Sequence, residues 1–263
     1  MDSDGAASFR KGPKAYDQLV GRYSPALGRE LIQFAGVEAG QRVLDVGCGT
    51  GLLTAELAAV VGAGNVCAID PSEPFVQATR ARVPGSAVEV GGAEDIPFSD
   101  GAFDVALAQL VVNFMADAGA GVREMRRVVR PGGTVAACVW DYRGEMTLLR
   151  TFWDAARATD RGSGALDEGV RMGYSDPESL SALWADQQLR SVVTTELRPS
   201  VRYTDFDELW NPFLAGVAPT GVYVATLDDA GQDALRDEFF RRLGSPTGSF
   251  ELSARAWAVV GTR

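Results

Sequence analysis

One stretch, RVLDVGCGTGLLTAEL from Arg42 to Leu57, constrains the fold more than any other. Arg42–Val46 reads as a buried strand, and Leu52–Val61 as a helix with Leu53, Leu57, Ala58 and Val61 on one face. Between them stand Gly47, Gly49 and Gly51. Glycines at that point open backbone conformations closed to other residues and let a ligand approach the main chain closely. The turn also aims the free N–H groups of a helix start at that ligand.

The strand-then-helix rhythm continues. Asn65–Asp70, Ala87–Val90, Phe103–Leu110 and Thr134–Trp140 read as strands, with helices over Glu73–Arg82 and Ala120–Val129 and a turn at RPGG, Arg130–Gly133. Such alternation means an α/β fold, a doubly wound and mostly parallel sheet with helices on both faces. Upstream, Tyr16–Ala35 has helical apolar spacing, and Pro25 divides it into two short helices. After Trp140 the rhythm changes. Thr147–Thr159 reads as a helix, RGSGALDEG as a glycine-rich loop, and Asp176 as the cap of a helix that begins with Pro177. Leu189–Tyr203, whose core Pro199 ends early, and Ser253–Gly261 read as strands whose mutual direction the sequence leaves open, and Asp205–Ala215 and Leu227–Leu243 as helices. We expect one domain over 1–263. Its core covers about 36–140, 175–200 and 250–263, and its cap or lid segments about 13–35, 141–174 and 201–249.

Composition narrows the function. The formal net charge of −10 argues against a nucleic-acid partner, which calls for a basic face. No run reaches the ~18 apolar residues of a membrane span, and the first residues lack the apolar core of a signal peptide, so the expectation is a cytoplasmic protein. Cys48, Cys67 and Cys138 are scattered, which fits neither a disulfide framework nor a metal site. There is no histidine, and the only lysines are Lys11 and Lys14. Any chemistry here proceeds without a histidine base.

Asp70 closes the second strand, 19 residues after Gly51. In a doubly wound sheet that carboxylate arrives beside the glycine turn, where it accepts hydrogen bonds from ribose hydroxyls. The spacing GxGxG differs from the dinucleotide fingerprint GxGxxG. An adenosine-type ligand is therefore expected, with a pyrophosphate less natural.

At this point the chain resembles the class I S-adenosylmethionine-dependent methyltransferases, in particular the small-molecule branch related to ubiquinone/menaquinone-biosynthesis enzymes. The stretches VLDVGCGTG, AIDPS, GGAEDIPFSDGAFDVALAQLVV and REMRRVVRPGGTV carry the likeness, over roughly residues 40–140. It implies a Rossmann-like sheet of seven strands, capped by the N-terminal helices and by insertions after the fifth and sixth strands. It also implies S-adenosyl-L-methionine as cofactor and roles for particular residues. Asp45 and the turn of Gly47, Cys48, Gly49, Thr50 and Gly51 would hold the methionine portion. Asp70 would bind the ribose, and Pro71 and Ser72 would border the adenine. The backbone of Ala93 and the side chain of Glu94 or Asp95 would meet the adenine edge. Gln109 would sit under the sulfonium, while Tyr16, Tyr23 and Ser24 would fold over the methionine tail. Many relatives place an aspartate where this chain has Gly92, so the adenine contact differs here.

The expected reaction is O-, N- or C-methylation of a small molecule, aromatic or amine-bearing. A sulfonium supplies its own driving force, leaving binding and orientation to the protein. If the acceptor needs a base, Asp141 and Tyr142 are the candidates, followed by Glu145, Asn113 and Asn211, because strand ends on that side face the ligand crevice. Aromatic residues in 141–174 and 203–223 suit either an acceptor pocket or a core, and TDFDELWNPFLAG suits a lid or a dimer contact. Two other classes stay open: a cofactor-binding protein without transfer activity, and a nucleotide-dependent oxidoreductase on the same fold. No metal requirement is expected.

Overall fold

The computed structural model describes residues 17–216 and 218–263. Its strands are β1 Val43–Val46, β2 Val66–Asp70, β3 Ala87–Val90, β4 Phe103–Gln109, β5 Val129–Trp140, β6 Arg190–Leu197, β7 Ser200–Tyr203, β8 Phe250–Ser253 and β9 Ala256–Thr262. The helices are α1 Ser24–Phe34, α2 Leu52–Val61, α3 Glu73–Arg82, α4 Ala118–Val128, α5 Thr147–Thr159, α6 Glu168–Arg171, α7 Pro177–Asp186, α8 Phe206–Trp210, α9 Ala218–Val224 and α10 Asp229–Arg242. They gather into two units: Ser24–Trp140 with Tyr174–Leu197 and Ala256–Arg263, and residues 17–23 with Asp141–Gly173 and Arg198–Arg255.

The first unit holds the seven-stranded sheet, in the order β3-β2-β1-β4-β5-β9-β6. β1 to β5 run parallel. Every residue of β1 and β2 is buried, as expected of strands covered on both faces. The open question of strand direction resolves as antiparallel, since β9 runs against both β5 and β6. α7 packs on β6 and β9. Trp184 donates its indole N–H to the Val135 carbonyl at 3.0 Å. Gly261 makes room for that ring, because a Cβ there would lie 2.9 Å from Trp184 Cδ1.

Several boundaries differ from the sequence reading. Pro25 does not divide a helix; it stands in the first turn of α1, behind a short 3₁₀ turn at Val20–Tyr23. At that position the missing N–H costs nothing. Ser24–Phe34, assigned to the cap, packs against α2 in the sheet unit. RPGG lies within β5, where Gly132 N–H donates to Arg263 O and Arg263 N–H to Gly133 O. Leu189–Tyr203 is two strands, β6 and β7, separated by Pro199, and Ser253–Gly261 is likewise split between β8 and β9. β7 and β8 pair with each other as a separate antiparallel ribbon in the second unit.

Aromatic packing builds the core of the second unit. Phe152 of α5 stacks on Phe213 at 4.7 Å and meets the edge of Phe239 at 5.8 Å, while Phe206 meets Phe240 at 5.0 Å. Phe206, Trp210 and Phe213 are buried, so TDFDELWNPFLAG supplies core rather than an exposed flap. The stretch read as a glycine-rich loop is a 3₁₀ turn, Arg161–Leu166, followed by α6. Asp160 accepts from Gly162 N–H and Asp167 from Gly169 N–H at their starts. Asp167 is also paired with Arg150 at 2.7 Å.

Beside that pair Glu168 is buried and accepts the Trp153 indole N–H at 2.9 Å. Burial pushes its carboxyl up to about 7, and Asp167 adds to the shift against the Trp153 bond. The folded state therefore holds this proton more tightly than the unfolded chain. Stability is full below the unfolded value of 4.5 and falls as pH rises toward about 7. We expect Glu168→Gln to remove part of that decline. Urea denaturation at a series of pH values measures it.

Candidate functional site

The turn after β1 is locked from two sides. Gly47 and Cys48 donate their N–H groups to the same acceptor, Ile69 O, at 2.8 and 2.9 Å, and Gly51 N–H closes onto Cys48 O. Gly47, Gly49 and Gly51 have φ of 73°, 55° and 82°, the left-handed region that disfavours a Cβ. Their needs differ. A Cβ at position 47 would lie 2.6 Å from Val111 Cγ2, and one at position 51 would lie 3.0 Å from Thr79 Cα. At Gly49 a Cβ meets nothing within 4 Å. Gly47 and Gly51 thus serve packing, whereas Gly49 leaves the turn open. α2 begins immediately after Gly51 with no side-chain cap from that residue, and in its first turn the Thr54 N–H turns to the Asp45 carboxyl.

Three polar side chains converge at the edge of the sheet beside this turn. In register Asp45 of β1 stands opposite Ala68 of β2 and Leu107 of β4. Side chains alternate with a period of two, so Asp70 and Gln109, two residues further along β2 and β4, share the face of Asp45. Asp70 Oδ2 accepts Gly49 N–H at 2.9 Å and Oδ1 accepts Ser72 N–H at 2.8 Å. The carboxylate thus clips the open glycine to its own strand. Asp70 is 6% exposed, and burial raises its carboxyl, the two N–H donors working against that. Asp45 is 1% exposed and accepts the Thr54 hydroxyl at 2.6 Å. Burial pushes Asp45 up to about 7; Thr54 opposes the shift and Asp70 adds to it. Gln109 donates through Nε2 to Ser24 O at 3.2 Å, and its buried Oε1 has no partner among the described residues. Gly28 of α1 admits that oxygen, because a Cβ there would lie 3.2 Å away.

The other expected residues divide. Thr50 and Ser24 are buried at the turn and at the start of α1; Ala93 is buried, Pro71 is exposed and Ser72 half-buried. Cys48 spends its N–H on Ile69 O and its thiol on Thr79 Oγ1 at 3.5 Å, in a cluster with Ala68, Val76 and Val88. Burial pushes that thiol well up. Glu94 is neither loose surface charge nor aimed only at a ligand, since Oε1 accepts Ala116 N–H at 2.8 Å and Asp117 N–H at 3.4 Å. Asp95 is exposed. Tyr23 belongs to the second unit, where burial and a hydroxyl bond to Tyr203 raise its pKa. Tyr16 lies outside the described residues. Asp141, the base candidate, is committed to structure. It accepts N–H groups from Gly144 and Glu145, and Arg255 bonds it through Nε at 2.9 Å and Nη2 at 2.7 Å. Tyr142 is buried, Glu145 pairs with Arg198 and Arg255, and Asn211 is exposed. Asn113 is half-buried in the sheet unit. Sequence reading missed Thr54, Thr79 and Val111, which hold Asp45, the Gly49 carbonyl and Gly47; their hydroxyls and branched side chain in a helix or loop carry no local signal.

These features fit an adenosyl ligand. An ionised carboxylate has about four acceptor positions; Asp70 uses two, which leaves room for a pair of ribose hydroxyls. The clear space at Gly49 and the unpartnered Gln109 oxygen suit a bound molecule in the same crevice. Residues 44–137 match the family model described as a methyltransferase domain. Over that stretch the chain is similar to methyltransferases. The chain is 28% identical over 207 residues to a malonyl-[acyl-carrier protein] O-methyltransferase of Erwinia pyrifoliae, covering 73% of this chain and 76% of that protein. It is 34% identical over 142 residues to an uncharacterized methyltransferase of Mycobacterium tuberculosis, covering 54% of this chain and 55% of that one. Its fold is similar to a Haemonchus contortus phosphoethanolamine N-methyltransferase solved with S-adenosylhomocysteine and phosphomonomethylethanolamine. There the TM-score is 0.57 at 14% identity, over 90% of this chain and 52% of that one.

The two kinds of glycine make a testable contrast. Gly49→Ala is expected to cost about 1–2 kcal/mol through its left-handed backbone alone. Gly47→Ala should cost more, because its methyl must also displace Val111, and Val111→Ala in the same chain should recover the excess. Chemical denaturation of the three variants measures both.

Proposed function

We propose that this protein moves the methyl group of S-adenosylmethionine to a small-molecule acceptor by in-line displacement, using position rather than a protein base. The observation that carries the reading is the Asp70 carboxylate, fastened to Gly49 and Ser72 yet retaining acceptor capacity, beside an open glycine turn. Asp70 takes the ribose hydroxyls. Asp45 takes the methionine ammonium, directly or through water. Gly47, Cys48, Gly49, Thr50 and Gly51 line the methionine portion with main chain. Pro71 borders the adenine, and the Ala93 backbone with the second oxygen of Glu94 meets its edge. Gln109 and Ser24 stand at the sulfonium end.

When bound, the sulfonium supplies an electrophilic methyl and a neutral thioether leaving group. The residues bind, orient and exclude water, and holding two reactants at attack distance is worth about 7–11 kcal/mol of barrier in well-oriented systems. Proton removal has little support in the chain. Histidine is absent from the sequence, and the Asp141 carboxylate is tied to Arg255 and two backbone N–H groups. An acceptor that is already nucleophilic near neutral pH suits this: an ionised oxygen, a neutral amine or an activated carbon. Methylation of small groups is what the names of the malonyl-[acyl-carrier protein] and phosphoethanolamine enzymes state for those proteins, and the net charge of −10 fits a metabolite better than a nucleic acid. No described helix is long and apolar enough to cross a membrane. We read the whole chain as one enzyme.

Asp70→Ala should weaken S-adenosylmethionine binding more than tenfold, since charge-assisted bonds to two hydroxyls are lost with the clip on Gly49. Titration calorimetry tests this, and unchanged affinity would remove Asp70 from the site. Incubation of labelled cofactor with a metabolite extract should transfer label to one or a few small molecules, each heavier by one CH₂. A persistent blank despite tight binding would favour a cofactor-binding protein without transfer.

A further inference from the structure

Asp45 and Asp70 present two acids to one face of the sheet. In register Asp45 stands opposite Ala68, two residues before Asp70, so both side chains rise from neighbouring strands on the same side. Among the described residues no arginine or lysine forms an ion pair with either. Their support is unequal. Asp70 accepts two backbone N–H groups from two different segments. Asp45 depends on Thr54 alone, through its hydroxyl at 2.6 Å and its backbone N–H. Asp45 is also the more buried, 1% exposed against 6%. Burial comes first in holding a proton on a carboxyl, and a neighbouring acid without a cation adds to it, so the acid with fewer donors and less water keeps the proton.

We propose that Asp45 holds a proton in the free protein and releases it when the cofactor ammonium arrives, so that binding of S-adenosylmethionine sets one proton free. The inference rests on the placement of the ammonium at Asp45 given above. The Asp45 O–H bond breaks, its electron pair stays on the carboxylate oxygen, and the proton passes to the buffer. The ammonium then supplies the positive charge that the protein withholds. The groups acting on Asp45 are few. From β2 it faces Asp70, and from the turn the Cys48 thiol, itself raised by both acids. From α2 it meets uncharged Thr54, and from β4 uncharged Leu107 with Gln109 beyond. Burial with Asp70 alongside places the proton of Asp45 at about 7 in the free protein.

The sign follows. Below that value, as long as the complex keeps Asp45 ionised, the group is protonated before binding and release approaches one proton; well above it, release vanishes. Apparent affinity should therefore strengthen toward tenfold per pH unit as pH climbs to about 7, then level off. The cofactor's own α-amino group, with an ordinary pKa of about 7.7–8.0, is charged up to about pH 7. It adds no proton of its own at about pH 6.

Titration calorimetry at about pH 6 in buffers of different ionisation heat reads the proton directly. The wild-type heat should vary with the buffer by close to one proton, and S-adenosylhomocysteine, which keeps the ammonium and lacks the sulfonium, should do the same. Asp45→Asn should bind with buffer-independent heat. Thr54→Val removes a donor that favours the ionised form, so proton release should persist to higher pH; this variant keeps the test available if Asp45→Asn does not fold. Tight binding with buffer-independent heat in the wild type would overturn the proton release. Release that survives in Asp45→Asn, or that S-adenosylmethionine shows and S-adenosylhomocysteine does not, would overturn the placement of the ammonium at Asp45.

Discussion

The hydrogen bond from Gly49 N–H to Asp70 is the constraint on which the site depends. It joins the turn after β1 to the end of β2 through a side chain, beside the two main-chain bonds from Gly47 and Cys48 to Ile69 O. Thr79 of α3 closes the loop from the other side by donating to Gly49 O at 2.9 Å. With both its N–H and its C=O held, Gly49 keeps a left-handed conformation with clear space where a side chain would stand. A binding surface made of backbone is fixed in shape before any ligand arrives, which reduces the ordering that binding must supply.

The same arrangement explains why acids are buried here at all. A carboxyl in a low-dielectric crevice is costly unless it is bonded or neutral. Asp70 is bonded twice by N–H groups, and Asp45 once by a hydroxyl with a weaker backbone partner. Burial still raises both carboxyls above their ordinary values. A ligand that brings positive charge removes that cost, so the crevice selects for a cation without containing a fixed ion pair. Elsewhere acids are satisfied differently. Asp141 and Asp167 are met by arginine, and this takes them out of acid–base work.

What could be read from the sequence is what is encoded locally. The first four strands are found within a residue or so because each is a short apolar run flanked by glycine, proline or acid. The starts of α7, α8 and α10 are marked by Asp176, Asp205 and Asp228, whose side chains accept the N–H three residues on. The glycine turn and Asp70 were legible because a ligand-binding backbone needs those residue types at that spacing. What stayed hidden depends on partners far along the chain. Arg255 bonds Asp141 from 114 residues away and converts a candidate base into a fastening. Glu94 looks like a free acid until the backbone of Ala116 and Asp117 is brought to it. The split at Pro199 follows from β7 choosing β8 as its partner, a pairing for which sequence offers no register. The aromatic residues after Trp140 were ambiguous between pocket and core, and mutual stacking made them core.

The most direct test of the Asp70 clip is a crystal structure with S-adenosylhomocysteine bound. We expect the ribose hydroxyls within hydrogen-bond distance of the Asp70 carboxylate, with Gly49 N–H still donating to it and the main chain of the turn unmoved. A ligand seated away from Asp70, or a turn that rebuilds itself to admit the adenosyl group, would contradict a preformed backbone site.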